Sequence, residues 1–180
     1  MGFFSKLFNA SDAAAKSAPA APAAVAAEAD ANTVAAPVTG TVVALSEVPD
    51  AVFAGGMLGQ GCGIEPSEGT LFAPISGTLT ALAPTLHAVG ITGDDGIEVL
   101  VHVGVDTVEM GGEGFSALTS QGAHVTAGEP LVTFDLKKIA QAGHPSCVIV
   151  VVSNTAKMQQ VATCAEGSVR AGAALVKVTR

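Results

Sequence analysis

From Val34 onward the chain breaks into short apolar runs separated by turns rich in glycine and proline, and the runs repeat every second residue rather than every 3.6. Gly96-Ile-Glu-Val-Leu-Val-His-Val-Gly-Val105 is the clearest: Ile97, Val99, Val101, Val103 and Val105 fall on one strand face, and Glu98, Leu100, His102 and Gly104 on the other. Cys147-Val-Ile-Val-Val-Val152 is apolar throughout, which predicts a strand buried on both faces near the centre of a sheet. Two short helical pieces are expected to interrupt the strands. One lies at residues 114–120, and the other at 135–142, where Asp135 can N-cap a turn containing Leu136 and Ile139.

Internal repeats set the architecture. Ala36-Pro-Val-Thr-Gly-Thr-Val-Val-Ala-Leu45 recurs as Ala73-Pro-Ile-Ser-Gly-Thr-Leu-Thr-Ala-Leu82, and the spacing of Val125, Gly128 and Leu131 recurs in Val169, Gly172 and Leu175. Each unit reads strand, glycine turn, strand, so the sequence predicts an all-β fold, an intertwined duplicated β-sandwich with short helical turns. That domain is expected over residues 34–180. Residues 9–33 are rich in alanine, carry Pro19 and Pro22 and have little to bury, which predicts a flexible linker; a helical alanine tract over Ala23–Ala31 is the alternative. Residues 1–8 place Phe3, Phe4, Leu7 and Phe8 on one helical stripe, an amphipathic tip suited to weak membrane contact. The tip is not a secretory signal, because polar residues interrupt its apolar run, and Lys6 breaks the myristoylation pattern.

Composition narrows the function. Nearly half of the 180 residues are apolar, enough for one sizeable core, and the aromatic residues are seven Phe with neither Trp nor Tyr. Sixteen acidic against eight basic residues give a net charge of −8, which repels a phosphate backbone and excludes nucleic acid as the expected partner; a basic protein surface suits it better. Cys62, Cys147 and Cys164 form no Cys-x-x-Cys pair and are read as reduced thiols of a cytoplasmic protein.

Two histidines stand out. Leu86-His-Ala-Val-Gly-Ile-Thr92 precedes the Gly96–Val105 strand, with Gly93-Asp-Asp-Gly96 between them as a turn. A loop of Asp94 and Asp95 sets His87 directly opposite His102; a loop of Asp95 and Gly96 pairs His102 with Val89 and leaves the histidines diagonal on one face. Either register gathers two imidazoles on a face shared with Val89, Ile91 and Leu100. Charging either ring there is costly, so the pair reads as a neutral nucleophile with its neighbour, or as two metal ligands. His124, in a turn, and His144, before Pro145, are read as structural.

Gly96-Ile-Glu-Val-Leu-Val-His-Val-Gly-Val-Asp-Thr-Val108 closely resembles the phosphorylation-site signature of the glucose-type IIA components of the bacterial phosphoenolpyruvate:sugar phosphotransferase system. The resemblance extends over residues 34–180 through Val48-Pro-Asp-Ala-Val-Phe53, Thr85-Leu-His87, Gly112-Glu-Gly-Phe115, Phe134-Asp-Leu136 and Val152-Ser-Asn154. It implies the duplicated-hybrid-motif β-sandwich or barrel, with His102 accepting a phosphoryl group at its tele nitrogen from the carrier HPr and passing it to a cysteine of a sugar-specific IIB domain of a membrane permease. His87 would stabilise the phosphoryl group and Thr85 would orient His87. Val52 and Phe53 would belong to the apolar docking surface, and Asp106 to its acidic rim. The family also implies regulatory protein partners and a membrane-touching tip. The chain departs from the family in its long alanine-rich linker and in Ala88-Val-Gly90, which lacks an aromatic residue after His87.

Rival chemistries lack their residues. A biotinyl or lipoyl carrier needs a lysine on a hairpin, and none stands between positions 17 and 136. A zinc peptidase of related architecture needs His-x-x-x-Asp and His-x-His, yet position 91 is Ile, and 100 and 104 are Leu and Gly. No phosphate-binding loop of the Gly-x4-Gly-Lys type occurs, which removes a nucleotide-using kinase. The carrier reading needs no cofactor; His87 and His102 supply two zinc ligands, and an interfacial zinc ion would need a partner's carboxylate as well.

Overall fold

The computed structural model describes residues 20–180, so the amphipathic tip at 1–8 and most of the expected linker lie outside the described residues. Fourteen strands run through them: β1 Thr33–Ala35, β2 Gly40–Ala44, β3 Gln60–Pro66, β4 Thr70–Phe72, β5 Gly77–Leu82, β6 Ala88–Gly93, β7 Glu98–Val103, β8 Phe115–Ala117, β9 His124–Val125, β10 Pro130–Phe134, β11 Val148–Val152, β12 Gln160–Thr163, β13 Ser168–Val169 and β14 Ala174–Thr179. They form an eight-stranded sheet, β13-β2-β3-β11-β7-β6-β5-β9, and two three-stranded sheets, β1-β14-β12 and β4-β10-β8. The pairings are antiparallel, and the fold is the all-β sandwich that the repeats predict. The valine-rich β11 lies between β3 and β7 with all five residues buried, because a strand at mid-sheet must satisfy apolar packing on both faces.

Among the described residues helical structure is confined to short pieces: α1 Ala51–Ala54, α2 Leu136–Gln141 and single 3-10 turns at Leu45–Glu47, Thr107–Met110 and Thr155–Lys157. Asp135 caps α2 as expected, accepting from the Lys137 and Lys138 amides at 2.9 and 3.2 Å. The helix expected at 114–120 is instead strand β8. Its three residues pair with β10 and set Phe115 against Phe134, 6.4 Å between ring centroids, so sheet pairing and aromatic burial override weak local helix preference.

The duplication is visible in the hydrogen bonds. Val169 pairs with Gly40 in one half as Val125 pairs with Gly77 in the other. Ala35 N–H donates to the Pro74 carbonyl, Phe72 N–H to the Pro37 carbonyl, and the Gly128 and Gly172 amides to the Ala73 and Ala36 carbonyls, at 2.8 to 2.9 Å. Each half thus completes the other's turns, which is what intertwines them.

The linker boundary moves. Residues 25–32 are neither a free linker nor a helix but a strap of irregular backbone that crosses the two repeat-related glycine turns and ends in a turn at Ala31 and Asn32. Val25 N–H donates to the Gly128 carbonyl at 2.9 Å and Glu28 N–H to that of Gly172 at 2.7 Å, while the Glu28 carboxylate accepts from Ala174 N–H at 3.1 Å. Thr33, assigned to the linker from composition, is 1% exposed in β1. Small side chains allow this: alanine has little to bury in a core of its own, but its backbone can pair closely with a turn. Gly128 holds φ +86°, and a Cβ there would lie 2.0 Å from the Val25 carbonyl oxygen. Gly128→Ala therefore strains the turn and lifts the strap. Destabilisation by about 1–3 kcal/mol is expected in denaturant unfolding, with faster hydrogen exchange at the Val25 amide; unchanged exchange there would refute the strap contact.

Candidate active site around His87 and His102

Both histidines come from the β6–β7 hairpin, but its register is neither of the two that the turn sequence suggested. The loop holds three residues, Asp94 to Gly96, closed by Gly93 N–H to the Ile97 carbonyl at 2.7 Å, with Gly96 at φ +89°. Asp95 Oδ1 accepts from Ile97 N–H at 3.0 Å and stabilises this longer turn. Ala88 therefore pairs with His102, and Val89 with Val101. Val89 and Ile91, expected beside the histidines, are 1% exposed on the opposite face within the main core, and only Leu100 of the three shares the face of His102.

In a regular continuation of this ladder His87 would also point away from His102. Instead β6 ends at Ala88, and Leu86 takes the left-handed conformation at φ +61°. That bend brings the rings together edge to face, 4.8 Å between centroids and 78° between planes. Thr85 Oγ1 lies 2.6 Å from His87 Nδ1.

His102 rests on a second apolar cluster formed by Leu45, Val48, Phe53, Val105, Cys147, Ile149 and Val151. Ile149 is its neighbour on β11, and the Phe53 ring lies 5.3 Å from the imidazole, tilted by 58°. Phe53 stands on α1, which Asp50 caps by accepting from the Val52 and Phe53 amides at 2.8 and 3.2 Å. Phe53 is 4% exposed, so it is the floor under His102 and not part of a docking surface; its neighbour Val52, 43% exposed, is available for contact.

The hydrogen bond of His102 defines its proton. His102 Nδ1 is 2.7 Å from the Gly104 carbonyl, which can only accept, so Nδ1 carries the hydrogen and neutral Nε2 keeps its lone pair. For His87, a proton donated by the Thr85 hydroxyl to Nδ1 leaves the ring hydrogen on Nε2. The pair then offers one nucleophilic nitrogen and one N–H donor. Burial lowers the pKa of both rings, and the neighbouring ring of His102 lowers that of His87 further. For His102 the Gly104 carbonyl and the carboxylates of Asp50 and Asp106 work in the opposite direction without reversing the shift.

Around the pair, Asp106 is exposed and left-handed at φ +57°, at the start of the 3-10 turn that carries Val108. Val108 is 52% exposed, and Leu58 and Met57, just after α1, are 40% and 76% exposed. Sequence reading missed these three; their signal was only that apolar residues flank the elements holding Phe53 and His102. The other histidines stand apart beside carboxylates: His124 Nε2 is 3.0 Å from Asp94 Oδ2, and His144 Nε2 is 3.9 Å from Glu109 Oε2. Burial pushes the thiols of Cys62 and Cys147 up to about 11 and about 12, which keeps them protonated and inert.

Because both imidazoles hold their protons less tightly folded than unfolded, they favour the folded state above the ordinary value of 6.5, and this contribution is lost as pH falls through the folded-state values. NMR titration should find His87 and His102 half-protonated below pH 6.5, and the double variant His87→Gln, His102→Gln should show weaker acid destabilisation between pH 7 and 5. Midpoints above 6.5 would contradict the neutral pair.

The family model described as phosphoenolpyruvate-dependent sugar phosphotransferase system, EIIA 1, matches residues 32–158. The glucose-specific EIIA component of the phosphotransferase system from Bacillus cereus is 41% identical over 131 residues, which cover 73% of this chain and 79% of that protein. A beta-glucoside-specific EIIBCA component from Halalkalibacterium halodurans is 42% identical over 147 residues, 82% of this chain; the match spans only 23% of that longer protein. Among solved structures, glucose permease IIA from Mycoplasma capricolum superposes with a TM-score of 0.75 at 37% identity, covering 80% of this chain and 93% of that one. Sequence, fold and signature strand agree: the chain belongs to the glucose-type EIIA family of the phosphoenolpyruvate-dependent sugar phosphotransferase system, whose role is phosphoryl transfer in sugar uptake.

Proposed function

We propose that His102 Nε2 accepts a phosphoryl group from the phosphohistidine of HPr and passes it to the cysteine of a sugar-specific IIB domain. The observation that carries this reading is the Nδ1–Gly104 bond, which leaves Nε2 as the unprotonated nitrogen on a half-buried ring. In the first step the Nε2 lone pair attacks phosphorus in line as the bond to the HPr imidazole breaks. In the second, the IIB thiolate attacks, the Nε2–phosphorus bond breaks, and its electron pair returns to His102. Donor and acceptor nitrogen are alike in energy, so the transfer needs alignment and charge stabilisation more than a strong base.

In this reading the Thr85 hydroxyl, 2.6 Å from His87 Nδ1, donates to that nitrogen, and His87 donates from Nε2–H to a phosphoryl oxygen. Val52, Leu58, Met57 and Val108 would meet the partners, with Asp106 facing a basic rim. The fused EIIBCA relative supports IIB as one of those partners. Regulatory proteins would use the same surface. This chemistry uses no bound cofactor. Among the described residues no group of three His, Cys, Asp or Glu side chains is arranged to hold a metal ion, so zinc at His87 and His102 would be interfacial, completed by donors of a partner. No described helix is long and apolar enough to cross a membrane; the reading places the protein in the cytoplasm, meeting its permease at the inner membrane face.

Incubation with enzyme I, HPr and phosphoenolpyruvate should label His102, and His102→Ala should abolish labelling. His87→Gln should retain acceptance from HPr while slowing transfer to IIB, since an amide donates a hydrogen bond but takes up no proton. Acid-labile phosphate on neither histidine would end the carrier reading. The Phe/Leu stripe of residues 1–8 supports weak docking on an anionic membrane. Liposome sedimentation should then favour the full chain over one lacking Met1–Phe8, and equal sedimentation of the two would remove that role.

A further inference from the structure

We infer that Thr107 is a positioning residue of this site: its hydroxyl replaces a ladder bond that β6 gives up so that His87 can reach His102, and it fixes the Val103–Gly104 peptide unit, which leads directly into the Gly104 carbonyl that sets the tautomer of His102. The consequence for transfer rate rests on the carrier reading; the consequence for the tautomer does not.

The register places His87 opposite Val103, one step beyond the Ala88–His102 pair. Val103 N–H donates to the His87 carbonyl at 2.7 Å, which is half of a reciprocal antiparallel pair. The return bond to the Val103 carbonyl, which a regular ladder would draw from the His87 amide, comes instead from Thr107 Oγ1 at 2.5 Å. Val103 and Thr107 are both 0% exposed, so a carbonyl left without this donor would be desolvated and unpaired. With the hydroxyl in place, the chain can leave the ladder at His87 and turn through the left-handed Leu86.

Thr107 also closes the turn that follows. Gly104 is at φ +75°, and a Cβ there would lie 2.4 Å from Thr107 Cγ2, so the threonine methyl occupies the space over Gly104. On the other side, Gly104 N–H donates to the Cys147 carbonyl at 2.9 Å and Val105 N–H to that of Pro145 at 3.0 Å. The Gly104 carbonyl is thus held between Thr107 and the lead into β11, aimed at His102 Nδ1–H. Loss of the hydroxyl leaves the methyl over Gly104 but frees the Val103–Gly104 peptide unit that leads into this carbonyl, and the imidazole can then place its hydrogen on Nε2, where it blocks the nucleophilic lone pair.

Two-bond proton–nitrogen NMR of the full chain reads the tautomer directly. The unaltered protein should show His102 protonated at Nδ1 alone in its neutral form. Thr107→Val, which keeps the shape and removes the hydroxyl, should show a mixture of tautomers, and acceptance from HPr should fall about 10- to 100-fold, the range found when partners orienting a metal-ligating histidine are lost. Thr107→Ser should restore the single tautomer. A folded Thr107→Val protein with a pure Nδ1–H tautomer overturns the inference, even if its rate is reduced, because the residue would then act only through stability. If Thr107→Val does not fold, the hydroxyl proton of Thr107 in the unaltered protein decides: slow exchange with solvent supports the bond to Val103, and rapid exchange overturns it. A tautomer change without phosphorylation of any form of the protein would refute the carrier reading and leave the role of Thr107 standing.

Discussion

The site depends on one interruption of a hydrogen-bond ladder, at the step where β6 stops pairing with β7. Antiparallel pleating assigns alternate residues to opposite faces, and the three-residue hairpin sets Ala88, not His87, opposite His102. Had β6 continued by one residue, His87 would have turned toward the main core. The interruption requires a left-handed non-glycine residue at Leu86 and a substitute donor for the Val103 carbonyl. What it yields is two imidazoles in edge-to-face contact, each with its Nδ1 engaged in a hydrogen bond.

Everything beneath that contact is rigid. His102 is on β7, flanked by the fully buried β11 and floored by Phe53 and Ile149, so the ring has few ways to move away from the surface. The intertwined halves reinforce the sheet from both ends, each completing the other's turns, and the strap over Gly128 and Gly172 fastens the two together. The surface above is different in kind. Val52 on α1, Met57 and Leu58 in the turn after it, and Val108 on a 3-10 turn are exposed apolar side chains.

Neutrality is the electrostatic counterpart of this geometry. A protonated ring has no lone pair to attack phosphorus, and two protonated rings in contact would repel. Burial lowers the pKa of both rings and the neighbouring His102 lowers that of His87 further, which favours the neutral forms, while the Gly104 carbonyl, Asp50 and Asp106 offset part of the effect at His102. The same carboxylates would help stabilise positive charge on the imidazole as the phosphoryl group is transferred. The net negative charge of the chain directs encounter toward basic partners but contributes little at the nitrogen itself.

Much of this was legible in the sequence. Period-two patterning located the strand bearing His102, the continuous apolar run located β11 at mid-sheet, and the paired repeats disclosed the duplication, because side-chain alternation and turn chemistry are local properties. The signature around His102 disclosed the family for the same reason: a run of contiguous residues is read without knowing what it touches. The hairpin register was not legible, since Asp94, Asp95 and Gly96 suit loops of two or three residues and the choice is made by cross-strand packing of Val89, Ile91, Val99 and Val101 into one core. Nor was the inward turn of Phe53, or the docking of an alanine tract onto glycine turns 100 and more residues away in the chain. The sequence by itself determined the family, the strand that carries His102 and the nearness of His87 to it in the chain. Only the tertiary structure decided that His87 leaves its strand to meet His102 and which nitrogen of each ring is free, because those outcomes are settled by long-range hydrogen bonds that no local pattern encodes.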